Sequence, residues 1–489
     1  MNDRGKSDGL VLPAKPPNKA GQPAAEVVEG RSPAEGNTAS KTRPGHGAGF
    51  DASSALDRVR EVARRDKDVR FTALLHHVDV DRLRAAYWAI NPKAATGVDG
   101  VTWGAYGQDL EANLRDLHQR VHAGRYRARP SRRVYIPKAD GRQRPLGIAS
   151  LEDKILQRAV VEVLNAIYEV DFLGFSYGFR PGRSPHDALD ALATGISRKK
   201  VNWVLDADIS SFFTSLDQGW LERFLEHRIA DKRVLRLIRK WVKAGVIEEG
   251  AWSETTVGTP QGASVSPLLA NVYLHYVFDR WARQWRRRKA RGDVVITRFA
   301  DDFVAGFEYQ GDAQRFLADL RERFAIFGLE LHPDKTRLIE FGRFATERRA
   351  KRGLGKPETF DFLGFTHICG KTKNGRFWLR RITISKRMRA KLVEVKDQLR
   401  RRQHLSIPEQ GQWLASVVRG HFAYYAVPGN TDAVGAFRTQ ATRHWYKALR
   451  RRSQRTRLNW TRMDRLASRW LPPARVVHPY PEARFDART

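Results

Sequence analysis

Two adjacent carboxylates interrupt an otherwise apolar, β-forming run at VVITRFADDFVAGF, residues 294–307. The pattern predicts two strands of a hairpin joined at Asp301-Asp302. Acidic groups set among buried β-formers are costly unless positive charge neutralises them. A pair of divalent cations does so, and two metals roughly 3.5–4 Å apart serve in-line phosphoryl transfer. An exposed turn also accommodates Asp-Asp, so the pair alone leaves both readings open. A second acidic segment, VLDADISSFF (204–213), lies about ninety residues earlier in a short apolar run suited to a central strand. Alternate strand residues share a face, so Asp206 and Asp208 point the same way and either can meet the hairpin's carboxylates. Between the two segments lies Gly258-Thr259-Pro260-Gln261-Gly262, whose glycines let backbone approach a ligand.

Charge narrows the partner. The 489 residues carry 88 Lys+Arg against 54 Asp+Glu, a formal net charge of +34, which calls for a polyanion: nucleic acid or an anionic membrane. No apolar run reaches about 18 residues, and MNDRGKSDGL has no signal-peptide core, so spanning and secretion are not expected. The single Cys369 excludes a disulfide framework and a multi-cysteine zinc site within the chain. These features point to a cytosolic protein that handles nucleic acid. Residues 1–55, rich in Gly, Pro, Ala and Ser, read as a disordered arm. Helical periods over 56–130, including FTALLHHVDVDRLRAAYWAI (71–90), read as a helical extension. Residues 131–375 hold the strands and the acidic motifs, and 376–489 a basic helical unit. Residues 376–475 contain 24 Lys+Arg and 5 Asp+Glu among regularly placed aromatics, which fits a surface facing phosphates.

The ordered blocks GVDG (97–100), IPKADGRQRPLGIA (136–149), FSYGFRPGRSPHDAL (175–189), DADISSFF (206–213), GTPQGASVSPLLANVYL (258–274), RFADDF (298–303), LELHPDKT (329–336) and DFLGF (361–365) resemble the reverse transcriptases encoded by group II introns. WLASVVRGHFAYYAVPGN (413–430) and VHPYPEARF (477–485) are similar to that family's thumb and maturase region. The resemblance implies an α+β right-hand polymerase: fingers, palm, a helical thumb/maturase domain and a disordered N-terminal arm. It implies Asp208, Asp301 and Asp302 as the catalytic triad, binding two Mg²⁺ (or Mn²⁺) together with the backbone of Ile209; Asp206 competes for the first place. It assigns Lys138, Arg144, Arg180, Phe213, Gln261 and Lys335 to the incoming nucleotide. Phe213 is the expected steric gate against a 2′-hydroxyl, with ordinary palm core as its other reading. Lys335 is the expected proton donor to pyrophosphate, with a solvated surface lysine as the alternative. Arg419, His421, Tyr424, Tyr425, Arg450, Arg451 and Arg452 are the expected RNA contacts.

Two departures qualify the match. The family's usual tyrosine before Ala-Asp-Asp is Phe299, which keeps the ring and loses a hydroxyl. The paired cysteines and histidines of the family's C-terminal metal-dependent endonuclease are also missing, so cleavage of a second target strand by that route is not expected. The implied function is RNA-directed DNA synthesis, with intron RNA, a target DNA primer and dNTPs as partners, in a cytoplasmic ribonucleoprotein. The oligomeric state stays open. The competing expectations are a non-catalytic RNA-binding maturase and a domesticated reverse transcriptase of a defence or CRISPR system.

Overall fold

The computed structural model describes residues 52–137, 143–248, 251–253, 262–372, 374–452 and 458–486. Most of the expected arm lies outside them; its last residues belong to the helix Ala52–Arg65. That helix and Val80–Trp88 pack on the long helix Leu151–Asp171, and Leu110–His122 packs on Val80–Trp88. Leu151–Asp171 starts where the Ser150 hydroxyl accepts the Asp153 N–H at 3.2 Å. Its Ile155, Leu156, Ala159, Val160, Val163, Leu164, Ile167 and Tyr168 recur at helical spacing, and all are buried in the first core. The helical period expected across 71–90 is broken. A short 3-10 turn occupies Leu75–His77 because the backbone N–H groups of Leu74 and Leu75 donate to the distant Asp231 carboxylate at 2.8 and 3.0 Å. The helix restarts with Asp79 as its cap, accepting from Arg82 N–H at 2.7 Å.

The strands, in chain order, are β1 Ser131–Pro137, β2 Gln143–Ile148, β3 Trp203–Ala207, β4 Val246–Glu248, β5 Ala251–Ser253, β6 Val294–Phe299, β7 Asp302–Phe307, β8 Arg337–Glu340, β9 Phe360–Phe362, β10 Phe365–Lys371 and β11 Phe377–Thr383. They form sheets ordered β2-β1-β4-β5, β6-β7-β3-β8 and β11-β10-β9. The middle sheet is antiparallel throughout and buried on both faces. Leu205, Ala207, Phe303, Ala305 and Phe307 enter the first core, which also takes the helices Ser266–Leu274 and Gln310–Ile326. Val204, Val304 and Ile339 enter a second core with the helix Pro185–Arg198 and the β9–β11 sheet. Burial on both sides is why β3 and β7 read as nearly continuous apolar runs, and why the carboxylates at their ends stand out.

The helices Ser385–Arg401, Ile407–Tyr425, Thr431–Arg450 and Trp460–Trp470 share a third core around Val395, Leu414, Val418, Phe437, Trp445 and Met463. The boundary expected at 375/376 falls inside the turn of the hairpin β10–β11, so the helical unit begins about ten residues later, at Ser385. Asn430 ties the two parts together, accepting from Thr383 N–H at 3.0 Å and donating to Thr383 Oγ1 at 2.7 Å. The last described helix, Pro481–Asp486, returns to pack on Pro185–Arg198. There the buried Asp190 accepts from both Arg484 and Arg381, the latter at 3.0 Å. Among the described residues no helix is long and apolar enough to cross a membrane.

Candidate active site

Register brings the acidic segments together. β3 and β7 pair with Ala207 opposite Phe303, so one step further along each strand sets Asp208 opposite Asp302. The β6–β7 hairpin closes with Phe299 opposite Asp302, leaving Ala300 and Asp301 as its tip. Asp208 and Asp302 share a hydrogen bond, and Asp301 lies within the field of both. Crowding by surrounding protein first, then the charges of Asp301 and Asp208, push the Asp302 carboxyl up to about 8, although the residue is exposed at the end of its strand. Asp301 is raised by burial and by Asp208. Lys335, in the turn Pro333–Lys335, seats its ammonium on Asp208, and it and Arg144 of β2 act on Asp301 in the opposite sense. Asp206 feels the charge of Asp208 but turns to a partner of its own. It is paired across the sheet with Arg337 at 3.3 Å, and its carboxyl is pushed up to about 6, chiefly by burial.

The chain beyond Asp208 bonds to the strand-like segment before Lys335: Ser210 N–H donates to Glu330 O and His332 N–H to Asp208 O, both at 2.8 Å. These bonds flank the Ile209–Leu331 bridge, which turns the Ile209 carbonyl away from that segment. Ser211 then takes a left-handed φ of +47° and starts the single turn Phe212–Ser215. Phe212 is buried; Phe213 is half-buried, edge-on to it at 5.4 Å. Left-handed backbone recurs at Ala300 (φ +57°), directly before Asp301. Non-glycine residues adopt that region at a cost, and it gathers at functional sites.

Arg298 holds this tip, a role the sequence reading missed. The guanidinium is fully buried and all five N–H groups are used. Nε and Nη2 donate to the two oxygens of Asp279 at 2.7 Å each, Nη1 to Ala300 O at 2.8 Å and Asn271 Oδ1 at 3.1 Å, and Nη2 to Ser176 Oγ at 2.7 Å. Asp279 closes a π-helical turn, His275–Asp279, a feature that often marks functional sites. The segment Phe175–Gly178 runs along the outer edge of β6, with Tyr177 N–H donating to Arg298 O at 2.9 Å and Arg298 N–H to Phe175 O at 2.8 Å. A Cβ on Gly178 would lie 2.2 Å from Ala300 N, so only glycine allows this approach.

Other expected residues fall elsewhere. Arg180 faces the protein interior, donating to Glu169 at 3.0 Å and to the carbonyls of Leu173 and Ser176 at 2.8 Å each; the structure does not bring it to the carboxylates. Its motif borders the acidic tip through Ser176 and Gly178 instead. Lys138 and Gln261 lie outside the described residues; Gly262, beside Gln261, abuts Gly147 of β2. Of the expected RNA contacts, Arg419, Arg450, Arg451 and Arg452 are exposed. His421 is core: its ring stacks on Phe437 at 3.6 Å and burial lowers its pKa to about 3. Tyr424 spends its hydroxyl on Leu363 O at 2.8 Å, and Tyr425 packs on His421 and Phe365.

Among the described residues no three acidic, imidazole or thiolate side chains are gathered tightly enough to form a closed metal-ligand set. The donors that do meet are all oxygens; Asp301 and Asp302 are raised first by burial and then by the neighbouring carboxylates, while Lys335 acts on both and Arg144 on Asp301 in the opposite sense. Such a set suits a hard cation that keeps waters and substrate phosphates in its shell, as Mg²⁺ does.

Comparison with known proteins agrees with this geometry. Residues 136–367 match the family described as reverse transcriptase (RNA-dependent DNA polymerase). Protein YkfC of Escherichia coli is 35% identical over 276 residues, 50% of this chain and 72% of its own length. The group II intron-encoded protein LtrA of Lactococcus lactis is 34% identical over 235 residues, 48% of this chain but 39% of LtrA. A 91 kDa protein in the cob intron of Schizosaccharomyces pombe is 46% identical over 146 residues, 30% of this chain and 18% of its own. The chain belongs to the reverse transcriptase family, and over part of its length it is similar to proteins encoded by group II introns.

Proposed function

We propose that this protein is an RNA-directed DNA polymerase that binds its intron RNA, assists its splicing and copies it into DNA from a primer at the target site. The observation that carries the reading is the meeting of Asp208 with Asp301-Asp302 at one end of the middle sheet, with Lys335 and Arg144 acting on the same carboxylates. Carboxylates that raise one another's pKa in this way favour a bound cation, the requirement of phosphoryl transfer. Asp208, Asp301 and Asp302, with the Ile209 carbonyl, would hold two Mg²⁺ ions, Mn²⁺ being a possible substitute; when bound these lower the pKa of the primer 3′-hydroxyl and offset charge on the departing pyrophosphate. Arg144, with Lys138, grips the triphosphate, and Gln261 lies beside the nucleotide. Lys335 leaves Asp208 to donate a proton to pyrophosphate, and the Phe213 ring packs under the deoxyribose. The exposed arginines of the C-terminal helices supply affinity for RNA through its phosphates.

Primer extension on an RNA template tests the reading. Asp208→Asn and Asp301→Asn keep the shape and remove the charge. Each should abolish extension while leaving the affinity for intron RNA largely intact. Extension at the wild-type rate by either variant would overturn the assignment.

A further inference from the structure

The helix Thr431–Arg450 turns Ala441, Trp445, Ala448 and Leu449 into the third core. Its outer face carries Arg443, Tyr446, Lys447 and Arg450, spaced three, one and three residues apart, which is one stripe of a helix. Trp460, the first residue of the next helix, stacks on Tyr446 with ring centroids 4.3 Å apart and planes at 25°. The other tryptophans of this unit face the core: Trp445 is fully buried and donates to Gln410 at 3.1 Å, Trp470 packs closely against Gly411, and Trp413 packs against the same core. Trp460 remains 46% exposed, a large apolar side chain left in water beside a core that could have taken it. Arg450 lies over the other ring of the pair, 5.8 Å from the Tyr446 centroid. Arg443, Lys447, Arg450, Arg451 and Arg452 make no ion pair among the described residues, so the aromatic pair sits in uncompensated positive charge.

We infer that Tyr446 and Trp460 form a stacking platform for an unpaired nucleobase of RNA, whose flanking phosphates are taken by Arg450 and its neighbours. This rests on the proposal that RNA is the partner and narrows it to a single-stranded element, a loop or bulge, in place of a duplex. The argument is one of chemistry. Every base has a π-face, an exposed indole already stacked on a second ring offers its free face at little ordering cost, and the surrounding charge suits a phosphate backbone and repels cationic ligands. Within a duplex each base face is covered by its stacked neighbours, so apart from its ends a duplex presents phosphates alone.

The two contributions separate by salt. Equilibrium binding of full-length protein is measured with a short unpaired oligoadenylate and with a blunt RNA duplex across a salt series. Trp460→Ala should weaken oligoadenylate binding about five- to 150-fold, leave the salt slope unchanged, and leave duplex binding unchanged. Trp460→Phe, which keeps a ring against Tyr446, should recover most of the affinity. Arg450→Gln with Arg451→Gln should instead flatten the slope by roughly 0.7 for each phosphate no longer bound. Equal loss on both RNAs, or failure of Trp460→Phe to rescue, would make Trp460 a structural staple and overturn the inference; so would wild-type affinity in Trp460→Ala. Absence of salt-dependent RNA binding by the wild type would instead remove the underlying reading.

Discussion

Arg298 is the residue whose replacement most directly tests how the acidic tip is held. In Arg298→Met the side chain keeps much of its length and loses every donor. The Asp279 carboxylate, fully buried, is then left without its two 2.7 Å bonds, and Ala300 O and Ser176 Oγ lose theirs. Removing one partner of a buried ion pair costs about 3–5 kcal/mol, mostly because the surviving charge stays buried and unpaired. At about 2–4 °C per kcal/mol for a unit of 150–250 residues, the melting temperature should fall by roughly 6–20 °C. The companion variant Arg298→Met with Asp279→Leu removes both charges and should recover most of that stability, because no lone charge remains. Activity should not recover in parallel. The double variant still lacks the bond to Ala300 O, so Asp301 is no longer fixed, and kcat in primer extension should stay low while RNA affinity is normal. Thermal unfolding followed by circular dichroism, with extension kinetics on the same preparations, reads both effects. A loss below about 1 kcal/mol in the single variant, or full kcat in the double variant, would refute the reasoning.

Three further outcomes follow from the same geometry. Phe213→Val should raise ribonucleotide use relative to dNTP use by roughly ten- to a hundredfold, from an overpacking clash of about 1–3 kcal/mol; equal loss of both activities would make Phe213 core, as its half-burial against Phe212 also permits. Gly178→Ala should lower extension with little change in RNA affinity, since a Cβ 2.2 Å from Ala300 N must push the tip aside; unchanged kcat would show that the tip tolerates the shift. Acid should destabilise the fold below the ordinary histidine range. Burial lowers His275, His367 and His421 to about 3, so each stays neutral when folded and takes up a proton on unfolding. Their stabilising share is complete above about pH 6.5 and is lost as pH falls toward 3, at about 1.4 kcal/mol per pH unit for each. His421→Leu should make the pH dependence of the urea midpoint shallower by one histidine's share, and an unaltered dependence would contradict its neutral state.

What the sequence made legible, and what it hid, divides along the range of the interactions. The hairpin at Asp301-Asp302, the strand before Asp208 and the glycine stop after the helix Gln310–Ile326 are local patterns, and each can be read from a dozen residues. Which of Asp206 and Asp208 meets the hairpin was not legible locally; the register of β3 against β7 and β8 pairs Asp206 with Arg337 and sets Asp208 facing Asp302. The Arg298 network was not legible at all. Its partners lie 19, 27 and 122 residues away in sequence, and an arginine in a β-run gives no sign of whether it meets phosphate or a buried aspartate. Arg180 shows the complementary limit: its motif neighbours the acidic tip through Ser176 and Gly178, while its own side chain turns inward to Glu169. The boundary placed at 375/376 follows a change in charge composition, whereas backbone pairing continues across it: β11 pairs with β10 and its Leu379 enters the second core. His421 and Trp460 make the same point in opposite directions. Both sit among arginines in a helical pattern, and nothing in one sequence says which ring is in the core. Burial assigns His421 to the core with Phe437 and leaves Trp460 open to water, so in this basic unit the aromatic residues separate into buried and exposed only once the helices are docked.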